Sequence, residues 1–279
     1  MEKTIKELLN FGIIIIDKPT GPTSFSISDY VRKRLKLKKT SHFGTLDPMV
    51  TGVLPVALGR ACKLTGTFLG HDKTYIGIMH THKEQEIEKL QKIIDENFSG
   101  IITQLPPRKS RVKRAERERE IKNFELIEQS ENKDFLFVSK VQGGTYIRKI
   151  CSDLGELIGG AHMLELRRTQ AGIFNETQSV KLQDFDKAVE EYEKGDSKLL
   201  EKLIIPAETA INEIIPCFKI KENSIKSLLT GKPLFRQDVD GLSPQEGDFA
   251  IFYKEKFIGL YKLTNESIDI IARPTFVFT

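Results

Sequence analysis

The residues with the clearest capacity for chemistry lie in SHFGTLDPMVTGVLP, residues 41–55. Its one carboxylate, Asp47, sits between Leu46 and Pro48, with Gly44 and Gly52 on either side and His42 five residues upstream. A lone Asp before Pro is ordinarily a turn former. Here the glycines permit close approach of backbone to a ligand, and the apolar flanks place the acid at the edge of a dry core. Arg148, in GTYIR after a Gly-Gly turn, is a candidate partner. An arginine beside Asp47 would keep the carboxylate ionised at neutral pH, which suits a nucleophile or a base and not a general acid. Spacing alone does not bring the two together.

Three further groups point to a polyanion. PPRKSRVKRAERERE holds Arg108, Lys109, Arg111, Lys113, Arg114, Arg117 and Arg119 against Glu116, Glu118 and Glu120. With almost no large apolar side chain it is not core, and its charge suits contact with phosphates. Arg167 and Arg168 form a second basic cluster. Tyr75 and Tyr146 stand near basic residues, where aromatics can stack on bases, although a strand tyrosine more often packs. His80 and His82 share a strand face, but two ligands do not make a zinc site, so no metal is expected. No Walker loop and no GxGxxG motif occurs, so a nucleotide cofactor is unsupported.

The elements that must position these groups follow from pattern. GIIIIDK (Gly12–Lys18) reads as a buried strand and PTGPT as a turn. SFSISDYVRKRLKLKK reads as a helix with Ile27, Tyr30, Val31 and Leu35 on one face and Ser24 as its cap. The stretch around Asp47 reads as a loop. DKTYIGIMHTH is a strand, and residues 84–98 form a helix with Ile87, Leu90, Ile94 and Phe98 as its stripe. Residues 124–128 and 135–142 read as an antiparallel pair across ENKD. A helix with Ile150, Leu154, Leu157 and Ile158 ends at Gly159 and Gly160. AHMLELRRTQAGIF is a strand entering a glycine turn. Residues 184–203 read as one charged amphipathic helix, and PAETAINEIIP as a connection. From about Ile214, short strands alternate with turns, as in a small β-barrel. The fold class is therefore α+β: a mixed, mainly antiparallel sheet domain over residues 1–210, then an all-β module over 211–279.

Bulk properties bound the rest. The chain has 279 residues, 39% hydrophobic and 29% charged, with net charge +4. This is the profile of a globular chain that tolerates a polyanionic partner. Cys62, Cys151 and Cys217 are far apart, which fits a reducing compartment. MEKTIKELLN is not a signal peptide, and no apolar run nears the ~18 residues of a membrane span. A cytoplasmic location is expected.

Taken together, DKPTGPTS, GTLDP with TGVLP, KTY, GTYIR and GAHMLELRRT occur in the order of the motifs of the TruB-type pseudouridine synthases, which the chain resembles from about Gly12 to Phe174. Within that family it is most similar to the archaeal dyskerin-like branch, the catalytic subunit of box H/ACA guide-RNA particles. Met163 to Arg168 and the basic stretch at PPRKSRVKR carry that likeness. The tail resembles a PUA domain, an RNA-binding β-barrel.

The resemblance implies isomerisation of uridine in RNA to pseudouridine, without cofactor or metal. It implies Asp47 as the catalytic aspartate, Arg148 as its partner, and Tyr75 as the aromatic stacked on the flipped base. His42 matches a position that holds the flipped nucleotide, and Lys18, Tyr146 and Leu166 match pocket positions. Arg108, Lys109, Arg111 and Lys113 match a substrate-gripping thumb loop. The implied partners are guide RNA, substrate RNA and small accessory proteins of the H/ACA particle, with rRNA and tRNA as targets. The alternatives are a stand-alone tRNA T-loop synthase and a non-catalytic RNA-binding scaffold. Two departures stand out. Ser41 and Phe43 flank His42, where the family often has glycine before and a small or polar residue after. Cys62 follows Ala61 in place of a threonine and reads as packing.

Overall fold

The computed structural model describes residues 3–106, 113–131, 133–239, 247–264 and 269–279. The chain divides into two compact units, Met1–Ile204 and Ile205–Thr279. Among the described residues, no helix is long and apolar enough to cross a membrane.

The first unit opens with α1 (Ile5–Asn10), β1 (Gly12–Lys18), α2 (Ser24–Arg34), β2 (Thr40–His42), β3 (Thr51–Leu58), α3 (Thr65–Leu69) and β4 (Lys73–Thr81). It continues with α4 (Ile87–Asn97), β5 (Gly100–Gln104), β6 (Arg117–Ser130), β7 (Asp134–Val141), α5 (Ile147–Ile158), β8 (Ala161–Ala171), β9 (Phe174–Asn175), α6 (Leu182–Glu193) and α7 (Lys198–Leu203). Its sheet runs β1-β3-β8-β4-β7-β6-β5, with β2 on β3 and β9 on β8. Every pair is antiparallel except β3 with β8, which meet in parallel only at Thr51–Arg167 and Gly52–Arg168. That short seam joins two halves, each with its own core. On one side α2, α6 and α7 cover β1 and β3, whose near-continuous apolar runs are buried on both faces. On the other, α4 and α5 pack on strands that alternate, as β4 does along its length.

The mixed, mainly antiparallel α+β architecture is as expected. Several elements differ in detail. Thr23, not Ser24, caps α2, its hydroxyl accepting from the Ser26 amide at 3.0 Å. The expected loop at 41–55 is shorter, because Ser41 and His42 belong to β2 and Thr51 to Pro55 to β3. β6 begins at Arg117, earlier than its apolar pattern indicates. Leu157 is exposed, on the outer side of α5. The helix expected over 184–203 is two, separated at Gly195, whose φ of +104° an L side chain rarely adopts.

The second unit contains β10 (Ile204–Pro206), which begins at the division, then α8 (Ala207–Ile214), β11 (Cys217–Lys219), α9 (Ile225–Leu229), β12 (Leu234–Phe235), β13 (Asp248–Tyr253), β14 (Lys256–Leu263) and β15 (Ile270–Val277). PAETAINEIIP is thus largely helix, with Ala207, Ala210 and Ile211 buried. The strands form a curled five-stranded sheet in the order β11-β13-β14-β15-β12. Leu228, Phe249, Ile251, Ile258 and Tyr261 centre its core.

Candidate active site

The loop carrying Asp47 lies at the seam and is fastened by its main chain from three directions. Ser24 serves both backbone groups of Leu46: its hydroxyl accepts from the amide at 2.8 Å and donates to the carbonyl at 3.0 Å. Lys18, fully buried at the end of β1, donates to the carbonyls of Pro19, Pro48 and Val50 at 2.9, 3.0 and 2.8 Å. Arg168 donates from Nε to the Val53 carbonyl at 2.8 Å and from Nη2 to the Gly44 carbonyl at 3.0 Å. Within the loop, the Val50 amide closes a turn on the Asp47 carbonyl at 3.0 Å. None of these bonds uses the Asp47 carboxylate. They fix the backbone and leave that side chain to its own contact.

That contact is Arg148. Its Nη1 lies 3.1 Å from Asp47 Oδ2, and the two side chains are 45% and 43% exposed. Arg148 is the second residue of α5, whose apolar face (Ile147, Ile150, Cys151, Leu154) sets the helix against the sheet and leaves the arginine on its flank. A half-exposed pair of this kind contributes about 0–1 kcal/mol to stability. The acid is therefore held ready without being locked. Leu46 and Val50, close to the acid in the loop, belong to the same buried cluster as Tyr75, Ile147 and Leu166.

The electrostatics are dominated by buried cations. Arg168 is 1% exposed and pairs across the strands with Tyr75. Burial pushes Lys18 below the usual lysine range; Asp47 opposes this and Arg168 adds to it. Burial pulls His42 down from the ordinary histidine value, with Arg168 again adding, so its imidazole is neutral at pH 7. Lys73, whose Nζ donates to the carbonyls of Leu69 and His71, is pulled down to about 8 by burial first and Arg168 second.

Residues 32–147 match the TruB family pseudouridylate synthase N-terminal domain, and residues 148–212 match the tRNA pseudouridylate synthase B C-terminal domain. A probable tRNA pseudouridine synthase B of Methanocaldococcus jannaschii is 42% identical over 244 residues, 87% of this chain and 72% of that protein. The chain belongs to the TruB family of pseudouridylate synthases, RNA uridine isomerases. A second TruB-family relative, the probable tRNA pseudouridine synthase B of Archaeoglobus fulgidus, is 39% identical over 96% of this chain and 81% of its own. Among solved structures, a chain of a Cbf5–Nop10–Gar1 complex superposes with TM-score 0.89 at 34% identity, covering 99% of this chain and 88% of that one. A chain of an H/ACA ribonucleoprotein bound to a substrate RNA containing 2′-deoxyuridine gives 0.87 at 32% identity, covering 99% and 88%.

The unusual neighbours of His42 have structural partners. Ser41 Oγ lies 2.6 Å from Thr65 Oγ1, tying β2 to α3. Phe43 stacks on Phe68 with centroids 4.6 Å apart and planes 4° from parallel, and on Phe174 at 6.2 Å. His42 between them turns its Nε2 to Thr45 Oγ1 at 3.1 Å. A small residue at position 43 would leave that aromatic stack open.

Other expectations change. Arg167 and Arg168 are not a basic surface cluster. Arg167 is bound by Asp17 at 2.9 and 3.2 Å and by Glu176 at 2.5 Å, and Arg168 is buried. Strand periodicity held this signal, since neighbours on a strand face opposite sides. The glycines also serve the protein's own packing: a Cβ at Gly52 would lie 2.2 Å from the Arg168 carbonyl oxygen, and one at Gly44 3.2 Å from Arg168 Nη1. Tyr146 is engaged through its main chain, its amide and carbonyl both bonded to the buried side chain of Gln104. His162 joins His80 and His82, but the described residues contain no group of three or more ligands placed to hold a metal. Arg108, Lys109 and Arg111 lie outside the described residues, and Lys113 is exposed. Ser24, Lys73 and Arg168 lie inside the quoted motifs, but their hydrogen bonds to backbone, like those of Gln104, had no signal there.

Proposed function

We propose that the seam is the catalytic site of this pseudouridine synthase and that the chain works as the guide-RNA-dependent catalytic subunit of a box H/ACA-type particle. The observation that carries the site assignment is the Asp47–Arg148 pair, half exposed at 3.1 Å, on a loop whose Leu46 and Val50 share the buried cluster of Tyr75. The reaction conserves every atom: the C1′–N1 bond of uridine is replaced by C1′–C5, C5 loses a hydrogen and N1 gains one. Beside Arg148, Asp47 acts as a nucleophile toward sugar or base, or as a base toward a sugar proton. Tyr75 and Leu166 stack on the uracil once it leaves its helix, because a base inside a duplex is out of reach. Lys18, Tyr146 and neutral His42 border the nucleotide. The unit at Ile205–Thr279 grips RNA as a PUA-like module.

Likeness along 99% of the chain to Cbf5 from assemblies with Nop10, Gar1 and substrate RNA supports the guided reading. The relatives named tRNA pseudouridine synthase B support a second one, stand-alone action on the tRNA T-loop. The purified chain is assayed on a tRNA transcript without guide RNA or accessory proteins. Weak or absent conversion that rises when both are added is expected, and full turnover alone favours the second reading. Replacing Arg108, Lys109, Arg111 and Lys113 by Ala is expected to weaken RNA capture and flatten its salt dependence, by up to about 3 in log–log slope if all four meet single-strand phosphates. An unchanged slope removes phosphate contact from that stretch.

A further inference from the structure

Arg168 stands where the two halves of the sheet meet. Across β4 it pairs with Tyr75, and across β3 with Gly52, so the residue lies between the tyrosine and the Asp47 loop in the backbone register itself. The β8 strand bulges here, with Thr169 the extra residue between the pairings of Thr74 with Gln170 and of Tyr75 with Arg168. The guanidinium is wholly buried, and among the described residues no carboxylate forms an ion pair with it. Burying a cation this way costs several kcal/mol unless something compensates. Two carbonyl bonds offset part of that cost, and neither supplies a countercharge, so charge pairing does not account for the arginine.

Geometry does. The Gly44 carbonyl lies on the near side of Asp47 in sequence and the Val53 carbonyl on the far side, and one rigid planar fork holds both. Across the strands the same residue stands directly opposite Tyr75, so its side chain and the tyrosine ring share one face of the sheet. Gly44 and Gly52 are shaped around this residue, since a Cβ at either would crowd it. We infer that Arg168 is a positioning residue, which sets the separation between the Asp47 loop and the Tyr75 ring and thereby the slot in which the uracil turns. The slot's occupant rests on the reading above; the three-way clasp does not.

The test uses the full chain as Arg168→Met and Arg168→Lys, alone and combined with Tyr75→Phe. The RNA is a T-loop tRNA transcript, with guide RNA and accessory proteins if wild type needs them. Displacing a reacting group by about 1 Å costs about 100-fold in rate. Single-turnover conversion at saturating RNA should therefore fall about 100-fold in Arg168→Met, with RNA affinity within about 3-fold of wild type. Lysine keeps the charge but not the fork, so Arg168→Lys should recover only part of the rate. Tyr75→Phe should cost less in the Arg168→Met background than in wild type, because residues acting through one contact are not additive. In protein labelled with 13C at tyrosine Cζ, the Tyr75 resonance should move in both Arg168 variants without RNA present. Additive rate losses, an affinity loss matching the rate loss, or an unmoved Tyr75 resonance would each overturn the assignment. If Arg168→Met does not fold, Arg168→Lys carries the same comparisons. A moved resonance in a protein whose wild type converts no uridine would leave the clasp standing and remove the substrate reading.

Discussion

Two arginine–carboxylate sites flank the seam, and they are built to opposite specifications. Arg167 is saturated: Asp17 takes two of its donors and Glu176 a third, tying β8 to the end of β1 and to the segment after β9. Arg148 reaches Asp47 through one 3.1 Å contact between half-exposed side chains. The first acid pair has little left to offer a substrate. The second retains unshared lone pairs on its carboxylate, on a loop whose backbone is tied by Ser24, Lys18 and Arg168. A structural ion pair consumes its charges; one placed for chemistry leaves one of them underused.

Exchanging the acids is the sharpest way to break this contrast. Asp47→Asn should abolish conversion, by about 1000-fold or more, while leaving RNA binding intact and stability within about 1 kcal/mol, as for an exposed pair. Asp17→Asn should do the reverse and keep most of the rate. Rate assays and urea melts on both variants decide it. Conversion surviving in Asp47→Asn would remove the site assignment, and an equal rate loss in Asp17→Asn would erase the difference between the pairs.

The next effect is on stability. Arg167→Met leaves Asp17, itself largely buried, without its partner. Lost hydrogen bonds to charged groups are worth about 1.5–3 kcal/mol each at most, and solvent access at Glu176 reduces the sum. A loss of about 2 kcal/mol is expected by denaturant titration, against less than 1 for Arg148→Met. Equal losses would mean that exposure does not separate the two sites.

This division was only partly legible in the sequence. Asp47, Arg148 and Tyr75 lie in stretches whose residue types declare themselves, and β1, β4 and α5 follow from apolar period. The fastening of the loop did not show, because Ser24, Lys18 and Arg168 act on backbone carbonyls and amides up to 124 residues away in sequence, which side-chain pattern does not encode. Ser24 read as a helix cap for the same reason: a hydroxyl that binds Leu46 across the fold looks locally like one that binds its own helix. Arg167 and Arg168 read as one patch because composition ignores the strand's two faces. The break at Gly195 and the helix in PAETAINEIIP were missed because helical pattern outweighed one glycine in the first case, and two prolines outweighed helical pattern in the second.

A pH dependence tests the contrast from the side of an ammonium held by carbonyls. Lys73 is nearly inaccessible, donates to the Leu69 and His71 carbonyls, and has its proton affinity pulled down to about 8 by burial and by the nearby Arg168, with Asp72 opposing. The unfolded chain binds that proton up to about pH 10.4. Below about 8 both states carry it and stability does not change with pH on this account. Between about 8 and 10.4 the unfolded state binds more protons than the folded one, so stability rises with pH. Other lysines and tyrosines titrate in the same window, so the informative quantity is the difference between wild type and Lys73→Met, measured by urea titration from pH 7 to 10. The wild type should gain on the variant as pH rises. A constant difference would mean that the two carbonyls hold the ammonium charged throughout, and that a buried cation at this seam needs no carboxylate to stay ionised.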